Sequence, residues 1–312
     1  MMIMEVQYDV LLFGNSCLST AEDFSSAVRI ISEYRNPVVI VNAISGVTQQ
    51  LTELCLSYDK GVSMEKISDL QKLHLDAMSK ITKKRTRDPS VEEVRKLFQE
   101  LIELVTGTRP AEPTERRALI LSYGDKLSSV IMKWYLLNNN LSAISVLANE
   151  IIVSRDENPV DASVDEEWSR ELIRPVISRA SGNGNITVLT GFLCRTPSGK
   201  LATLGRNSGD YTAALVSSSF NGSILTCWMD MPGSKAEIKE SKVESSSVGK
   251  IGSNENAVNN QGETKGIQVK TIWLAKEYSF PIRIRDFRNP GLAGILIGES
   301  TEFQRGKGEV SC

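Results

Sequence analysis

Apolar positions along the chain fall into short runs, each followed by a small-residue turn and then an amphipathic stretch. The run Val10 to Phe13 ends in Gly14-Asn15-Ser16, which predicts a buried strand leading into a helix entrance. Ala21 to Tyr34 (AEDFSSAVRIISEY) carries apolar residues at helical spacing, with acids in its first turn. NPVVIVNAISGVT repeats the design with a β-branched run, Val38 to Val41, a small-residue turn and a helix start at Gln49. Strand, glycine turn and helix in repetition predict an α/β fold with a mainly parallel sheet and crossover helices.

The middle of the chain, Leu51 to Thr106, reads as helical and includes the amphipathic segments ISDLQKLHLDAMSKI and VEEVRKLFQELIELV. RALILSYGDKLSSVIMKWYL reads as strand, turn and helix, with Gly124 and Asp125 at the turn, and ISVLANEIIVS as further strand. NITVLTGFLCRTPSGKLATLGR predicts two strands around a turn at Pro197-Ser198-Gly199. GRNSGDYTAALVSSSF is another glycine-rich helix entrance, followed by the strand-like ILTCWMDM. Lys239 to Gly266 contains no aromatic residue and only five apolar ones. Such a stretch cannot bury enough surface to offset its ordering entropy, so a long mobile loop is expected. VKTIWLAKEYSFPIRIRDF then predicts a helix and a strand.

Charge and composition narrow the function. Lysine plus arginine number 36 and aspartate plus glutamate 38, a net charge of −2 that argues against a nucleic-acid partner. Five scattered cysteines with no CxxC pair read as reduced thiols in a cytoplasmic setting. His74 is the one histidine; a multi-histidine metal site is excluded, and no metal held by protein ligands alone is expected. His74 itself reads as a packing or hydrogen-bonding residue. No apolar run reaches the roughly 20 residues of a membrane helix. The segment Met1 to Gly14, with Glu5 and Asp9, is unlike a signal peptide. The basic run Thr82 to Asp88 reads as an exposed loop, and the charges of 239–266 as solvated. Cys17 reads as a small packing residue, with a thiol activated by a helix N-terminus as the alternative.

Four turns join strand ends to helix starts: FGNSC, NAISGVT, SYGDKLSS and LGRNSGDYT. Helix N-termini present free N–H groups and partial positive charge, which favour phosphates and carboxylates. In their order and wording these turns resemble the aspartokinase branch of the amino-acid kinase family. That branch carries a KFGGTSV-like opening, a VxxSAxxGxT loop, a GExLS turn and a TLGRGGSDYTAA segment. The counterparts here are Leu12 to Leu18, Val39 to Thr48, Gly124 to Ser128 and Thr203 to Ala214. Thr190 to Lys200 resembles the family's TGF hairpin, Trp228 to Gly233 its WTDVPG strand end, and FPIRIRDFRNPGLAGILI its IPVRVRNTFNPxxxGTLI ending.

The resemblance implies a three-layer αβα sandwich over 1–298 and a tail at 299–312. Within it, about 1–200 would form a substrate-side lobe and 201–298 a nucleotide-side lobe containing the 239–266 insertion. It implies ATP and Mg²⁺ as cofactors, a small amino acid as partner, and a homodimer as a family expectation. The implied reaction is γ-phosphoryl transfer to a carboxylate, most simply L-aspartate to 4-phospho-L-aspartate, by positioning and charge neutralisation. Carried over residue by residue, Arg206 would grip the substrate carboxylate, with its planar fork suited to bidentate pairing. Asp125 would meet the ammonium, and Asn42 and Thr48 would line the same pocket. Arg206, Asp210 and Lys126 are the catalytic candidates. Phe13, Gly14, Asn15, Ser16, Gly46, Asp230 and Lys270 fall on the phosphate and nucleotide side. The resemblance also implies no ACT regulatory module, since only 299–312 follows Gly298.

The departures concentrate at the phosphate end. The lysine before Phe-Gly-Gly is Leu12, and losing one preorganised stabilising group costs about 10²–10³ in rate. The second glycine is Asn15, the GE turn carries Asp125, GRGGSDYT has become GRNSGDYT, and the YTTDPR-like segment has no counterpart in SKAEIKE. Three readings stay open: a working kinase with Lys126, Lys200 or Lys270 supplying the missing charge, a kinase for another carboxylate, or a catalytically impaired homologue that binds a ligand or partner.

Overall fold

β2 (Pro37–Val41) is buried at every position and β1 (Asp9–Phe13) at all but Asp9, because both faces of the sheet they form are covered. Alternation explains the continuous apolar runs: Leu11, Phe13, Val39 and Val41 enter one core, and Val10, Leu12, Val38 and Ile40 the other. The structure is a computed structural model. It describes residues 6–14, 16–57, 64–81, 88–107, 112–205, 208–230, 242–243, 263–264 and 267–298.

After β1, α1 (Ala21–Ile31) and β2 come α2 (Val47–Ser57), α3 (Met64–Ala77), α4 (Pro89–Thr106), α5 (Pro113–Asn138), β3 (Ala143–Val146), α6 (Glu166–Ala180) and β4 (Ile186–Thr190). The hairpin β5 (Leu193–Arg195) and β6 (Leu201–Thr203), then α7 (Gly209–Ser218) and β7 (Ile224–Met229), follow. The last elements are β8 (Lys242–Val243), β9 (Glu263–Thr264), β10 (Ile267–Gln268), α8 (Val269–Glu277), β11 (Ile282–Asp286) and β12 (Ile295–Ile297). The eight-stranded sheet has the order β3-β4-β2-β1-β7-β11-β12-β8. Its pairings are parallel except β11 with β12. Helices α1 to α5 supply the core on one face and α6 to α8 the core on the other, so the expected three-layer αβα sandwich is present.

Local chemistry fixes the helix starts near the loops of interest. Thr20 and Asp23 form a reciprocal capping box at α1, and Asp88 and Asp165 cap α4 and α6. The expected strand–turn–helix at Arg117 to Leu136 is corrected: one 26-residue helix, α5, spans it, with Gly124 and Asp125 at mid-helix. From Ala118 to Leu136 this helix is buried on nearly all sides, wedged among α1, α2, α4 and the β3–β4 end of the sheet. A helix apolar all round has no 3.6-residue stripe, so its sequence reads like a strand. Among the described residues no helix is long and apolar enough to cross a membrane. The 239–266 insertion lies outside the described residues apart from β8 and β9, as do the basic run at 82–87 and the 299–312 tail.

Candidate active site

One face of α5 holds up the loop that follows β2. A Cβ on Gly124 would lie 2.8 Å from the Ala43 Cβ, so only glycine allows this close approach. One residue on, Asp125 Oδ1 accepts the Ala43 N–H and Oδ2 the Gly191 N–H, both at 2.9 Å. A turn later, Ser128 Oγ accepts the Ile44 N–H at 3.1 Å. The Gly-Asp-x-x-Ser spacing is thus a docking face of a helix rather than a turn. Asp125 is 3% exposed, and burial pushes its carboxyl up to about 7 against the pull of its backbone N–H partners.

The N-terminus of α7 meets the same loop from the other side. A Cβ on Gly209 would lie 2.6 Å from Asn42 Nδ2 and still closer to Oδ1, and a Cβ on Gly191 would also strike Oδ1. The Asn42 carboxamide therefore occupies a slot that exists because both neighbours lack side chains. Ser208 precedes α7, is buried and makes no side-chain cap bond, and among the described residues its Oγ has no hydrogen-bond partner. A buried hydroxyl at the positive end of a helix fits an anionic ligand group. Asn42, Ser45, Gly46, Thr48, Asp125, Phe192 and Ser208 line one cavity of 580 Å³, within the about 300–1,000 Å³ of small-molecule sites. Gly46 sits at φ +81°, a left-handed corner suited to glycine.

Asp210 lies two residues beyond Ser208 but turns away from the cavity. Its Oδ1 accepts the Tyr211 N–H at 2.8 Å and its Oδ2 the Gln268 N–H at 2.6 Å, which joins α7 to the start of α8. Burial raises its carboxyl to about 6, opposed by these N–H groups and by Lys270. Lys270 Nζ stands 4.2 Å over the Tyr211 ring, and burial lowers its ammonium pKa. Leu12 pairs in register with Cys227 in the core on this side of the sheet, and the Cys227 thiol feels the Asp210 charge. Position 12, where the aspartokinase motif has lysine, thus faces the layer of Asp210 with an aliphatic side chain.

The turn after β1 is built differently from the expectation. Phe13, expected on the phosphate side, is corrected to a core residue: it is fully buried, stacked on Trp228 and edge-on to Phe287. Alternation along β1 turns it into the α1 layer. The Gly14 N–H is taken by the Trp228 carbonyl at 3.0 Å, and Ser16 is exposed; neither lines the cavity. Cys17 is buried, with its thiol on the Trp228 carbonyl and pushed up to about 12, so burial outweighs any helix-end activation. Asp230 pairs with Arg288, whose guanidinium also reaches the Asp23 carboxylate and donates to the Ser16 carbonyl at 3.3 Å.

The structure does not bring Lys126 to the cavity. About 100° round α5 from Asp125, its Nζ stands 4.7 Å from the Tyr123 ring centre and lines a separate depression beside β3. Lys200 is tied to Glu115 at 2.7 Å. Of the three lysines weighed as replacements for the absent charge, Lys270 is the one near Asp210. Asn15 and Arg206 lie outside the described residues. His74 is a packing residue, its Nδ1 2.7 Å from the Leu70 carbonyl and its ring against Phe98.

Sequence reasoning missed Ser208 and Arg288. Both had a signal: each stands where the aspartokinase motifs have a different residue, glycine at 208 and phenylalanine at 288.

The sequence profile of the amino acid kinase family matches residues 10–286. The chain is 25% identical to the bifunctional aspartokinase/homoserine dehydrogenase of Buchnera aphidicola, over 93% of this chain and 36% of that protein. It is 22% identical to lysine-sensitive aspartokinase 3 of Escherichia coli, over 93% of this chain and 64% of that protein. It thus spans about a third to two thirds of these curated relatives. The crystal structure of E. coli aspartokinase III in complex with aspartate and ADP superposes with a TM-score of 0.77 at 18% identity, covering 95% of this chain and 65% of that one. Clostridium acetobutylicum aspartate kinase gives 0.72 at 19% identity, covering 95% of this chain and 63% of that one.

Proposed function

The chain belongs to the amino acid kinase family, and we propose that it transfers the γ-phosphoryl group of ATP to the carboxylate of a small acidic amino acid or a close derivative. A carboxylate oxygen forms the new O–P bond, the β–γ bridge bond breaks, ADP leaves, and an acyl phosphate results. The 4-carboxylate of L-aspartate is the first acceptor to test, since the curated relatives are aspartokinases. The observation that carries this reading is the cavity itself, where the β2 loop, α5 and the α7 N-terminus converge around a buried hydroxyl.

The acceptor sits in this reading between Asn42, Thr48 and Ser208, with Arg206 two residues before Ser208 on its carboxylate. Lys270 is the cation near Asp210 that remains for the nucleotide side, with Asp230 and Gly46 as further candidates there. Mg²⁺ would accompany the ATP phosphates in this reading and neutralise their charge. A second reading, a ligand-binding homologue without turnover, is favoured by one observation: Leu12 is 2% exposed in an aliphatic core and supplies no charge.

A hydroxylamine trap run with ATP, Mg²⁺ and a panel of acidic amino acids and their derivatives separates the two. Hydroxamate formation, lowered at least about 100-fold by Arg206→Ala, supports phosphotransfer. Ligand binding without hydroxamate from any acceptor supports the second reading.

A further inference from the structure

The parallel sheet has a switch point between β1 and β7. From β1 the chain turns to α1 and on to β2 on one flank, and it returns past β4 to β7 on the other flank of β1. α1 packs in the core on one face of the sheet, and α7 and α8, the helices before and after β7, pack in the core on the other. The connections leaving the carboxyl ends of β1 and β7 therefore part to opposite faces, and in open α/β sheets that parting makes the crevice where ligands bind. The cavity around Asn42 lies one strand away, at the loop after β2.

Arg288, just past the end of β11, lies across this crevice. The Phe287 N–H donates to the Met229 carbonyl at 2.8 Å, which ties the segment to the end of β7. From there the guanidinium reaches the Ser16 carbonyl in the turn after β1 at 3.3 Å, while Nη1 donates to Asp23 and Nε, at 3.4 Å, to Asp230. The Cys17 thiol, beside Ser16, feels both Arg288 and Asp230. Of the five N–H groups of the guanidinium, three thus have a partner among the described residues, and two of those contacts are long. The side chain is 43% exposed. Asp23 is placed to orient this cation more than to cancel it, because its other oxygen accepts the Ser19 and Thr20 N–H groups at the start of α1. Asp230 holds it by the longest of the contacts and is itself partly exposed. A terminal phosphate carries nearly twice the charge of a carboxylate at pH 7 and presents oxygens that a guanidinium fork binds in pairs. The aspartokinase motifs have lysine at position 12 and phenylalanine at 288, where this chain has leucine and arginine. A positive charge absent from β1 is matched by one present at the end of β11, two strands across the sheet.

We propose that Arg288 binds the phosphates of the nucleotide, with Asp23 holding the guanidinium in place and Asp230 as the contact that the phosphate displaces. The assignment rests on the phosphotransfer reading and gives its nucleotide side a phosphate-binding side chain that the family motif does not carry at this position.

Calorimetry on the full chain, titrating ADP with Mg²⁺ and, separately, adenosine, tests it without requiring turnover. Arg288→Met should weaken ADP about 10–100-fold, the scale of a hydrogen bond to a charged group, and leave adenosine within about twofold. Arg288→Lys, which keeps the charge and loses the fork, should fall between. A merely structural role would weaken both ligands alike. In the wild-type chain, phenylglyoxal labelling read by mass spectrometry should find Arg288 shielded by ADP and not by adenosine, a readout that needs no variant to fold. ADP affinity unchanged in Arg288→Met, equal losses for both ligands, or Arg288 labelled equally with and without ADP overturns the inference; hydroxamate formation would then leave phosphotransfer standing. ADP failing to bind the wild-type chain overturns the inference and the nucleotide side of the phosphotransfer reading together.

Discussion

Restoring a serine at position 209 should be harmful alone and harmless once Asn42 is shortened. The Cβ of any residue there would sit 2.6 Å from Asn42 Nδ2 and closer to Oδ1, against an ordinary contact beyond 3.4 Å. Asn42, whose half-buried carboxamide supplies every atom in the way, would have to leave its slot, which puts the cost at the low end of overpacking, about 1 kcal/mol. Gly209 opens α7, where a residue other than glycine is otherwise favoured by up to about 1 kcal/mol. Gly209→Ser is therefore expected to cost about 1 kcal/mol in the native background. In Asn42→Ser, whose shorter side chain leaves the slot, the same change should be neutral or slightly stabilising. Urea denaturation of the four proteins gives the coupling energy, with midpoints compared at constant m-value. A coupling below about 0.5 kcal/mol would refute the reasoning, because something other than Asn42 would then forbid a side chain at 209. Ligand titrations on the same four proteins would report whether the slot also shapes the acceptor pocket.

Two further outcomes follow from buried charge. The His74 pKa lies at about 4 in the folded chain, below its ordinary 6.5, because burial disfavours the cation. The unfolded chain therefore takes up the proton first, so this contribution is intact above pH 6.5 and is lost as pH falls toward 4, on the order of 3 kcal/mol in all. His74→Leu should flatten that limb of the stability–pH curve, and an unchanged limb would count against it. Asp125 and Asp210, raised to about 7 and 6, act oppositely, so stability from them falls as pH rises from about 4 through 7; the difference between wild type and His74→Leu isolates the histidine. Arg288→Met strips the cation from Asp23, a nearly buried carboxylate. Because Arg288 is itself 43% exposed, a loss of only about 1–2 kcal/mol is expected in urea melts, and no loss would show the bridge to be idle.

The sequence by itself determined the strands at Val10–Phe13 and Val38–Val41 with the turns that follow them, and the layered architecture. Continuous β-branched runs such as Val38–Val41 make sense only in a sheet covered on both faces. The motif wording also gathered Asn42, Gly46, Thr48 and Asp125, which the fold places around one cavity. What local pattern could not carry is direction. Phe13 and Leu12 are adjacent in one apolar run, yet the pleat sends them into opposite cores, and neither lines the cavity. Lys126 follows Asp125 directly, yet one step round a helix puts it in another depression. The helical state of Gly124 and Asp125 was itself hidden, because a helix enclosed by neighbours on nearly every side loses the periodic signature that a half-exposed one displays. Only the tertiary structure decided that Asp125 uses both oxygens on the loops it anchors and that Asn42 fills the space two glycines leave. Those contacts join residues dozens of positions apart, and their energies depend on burial that no local window of sequence records.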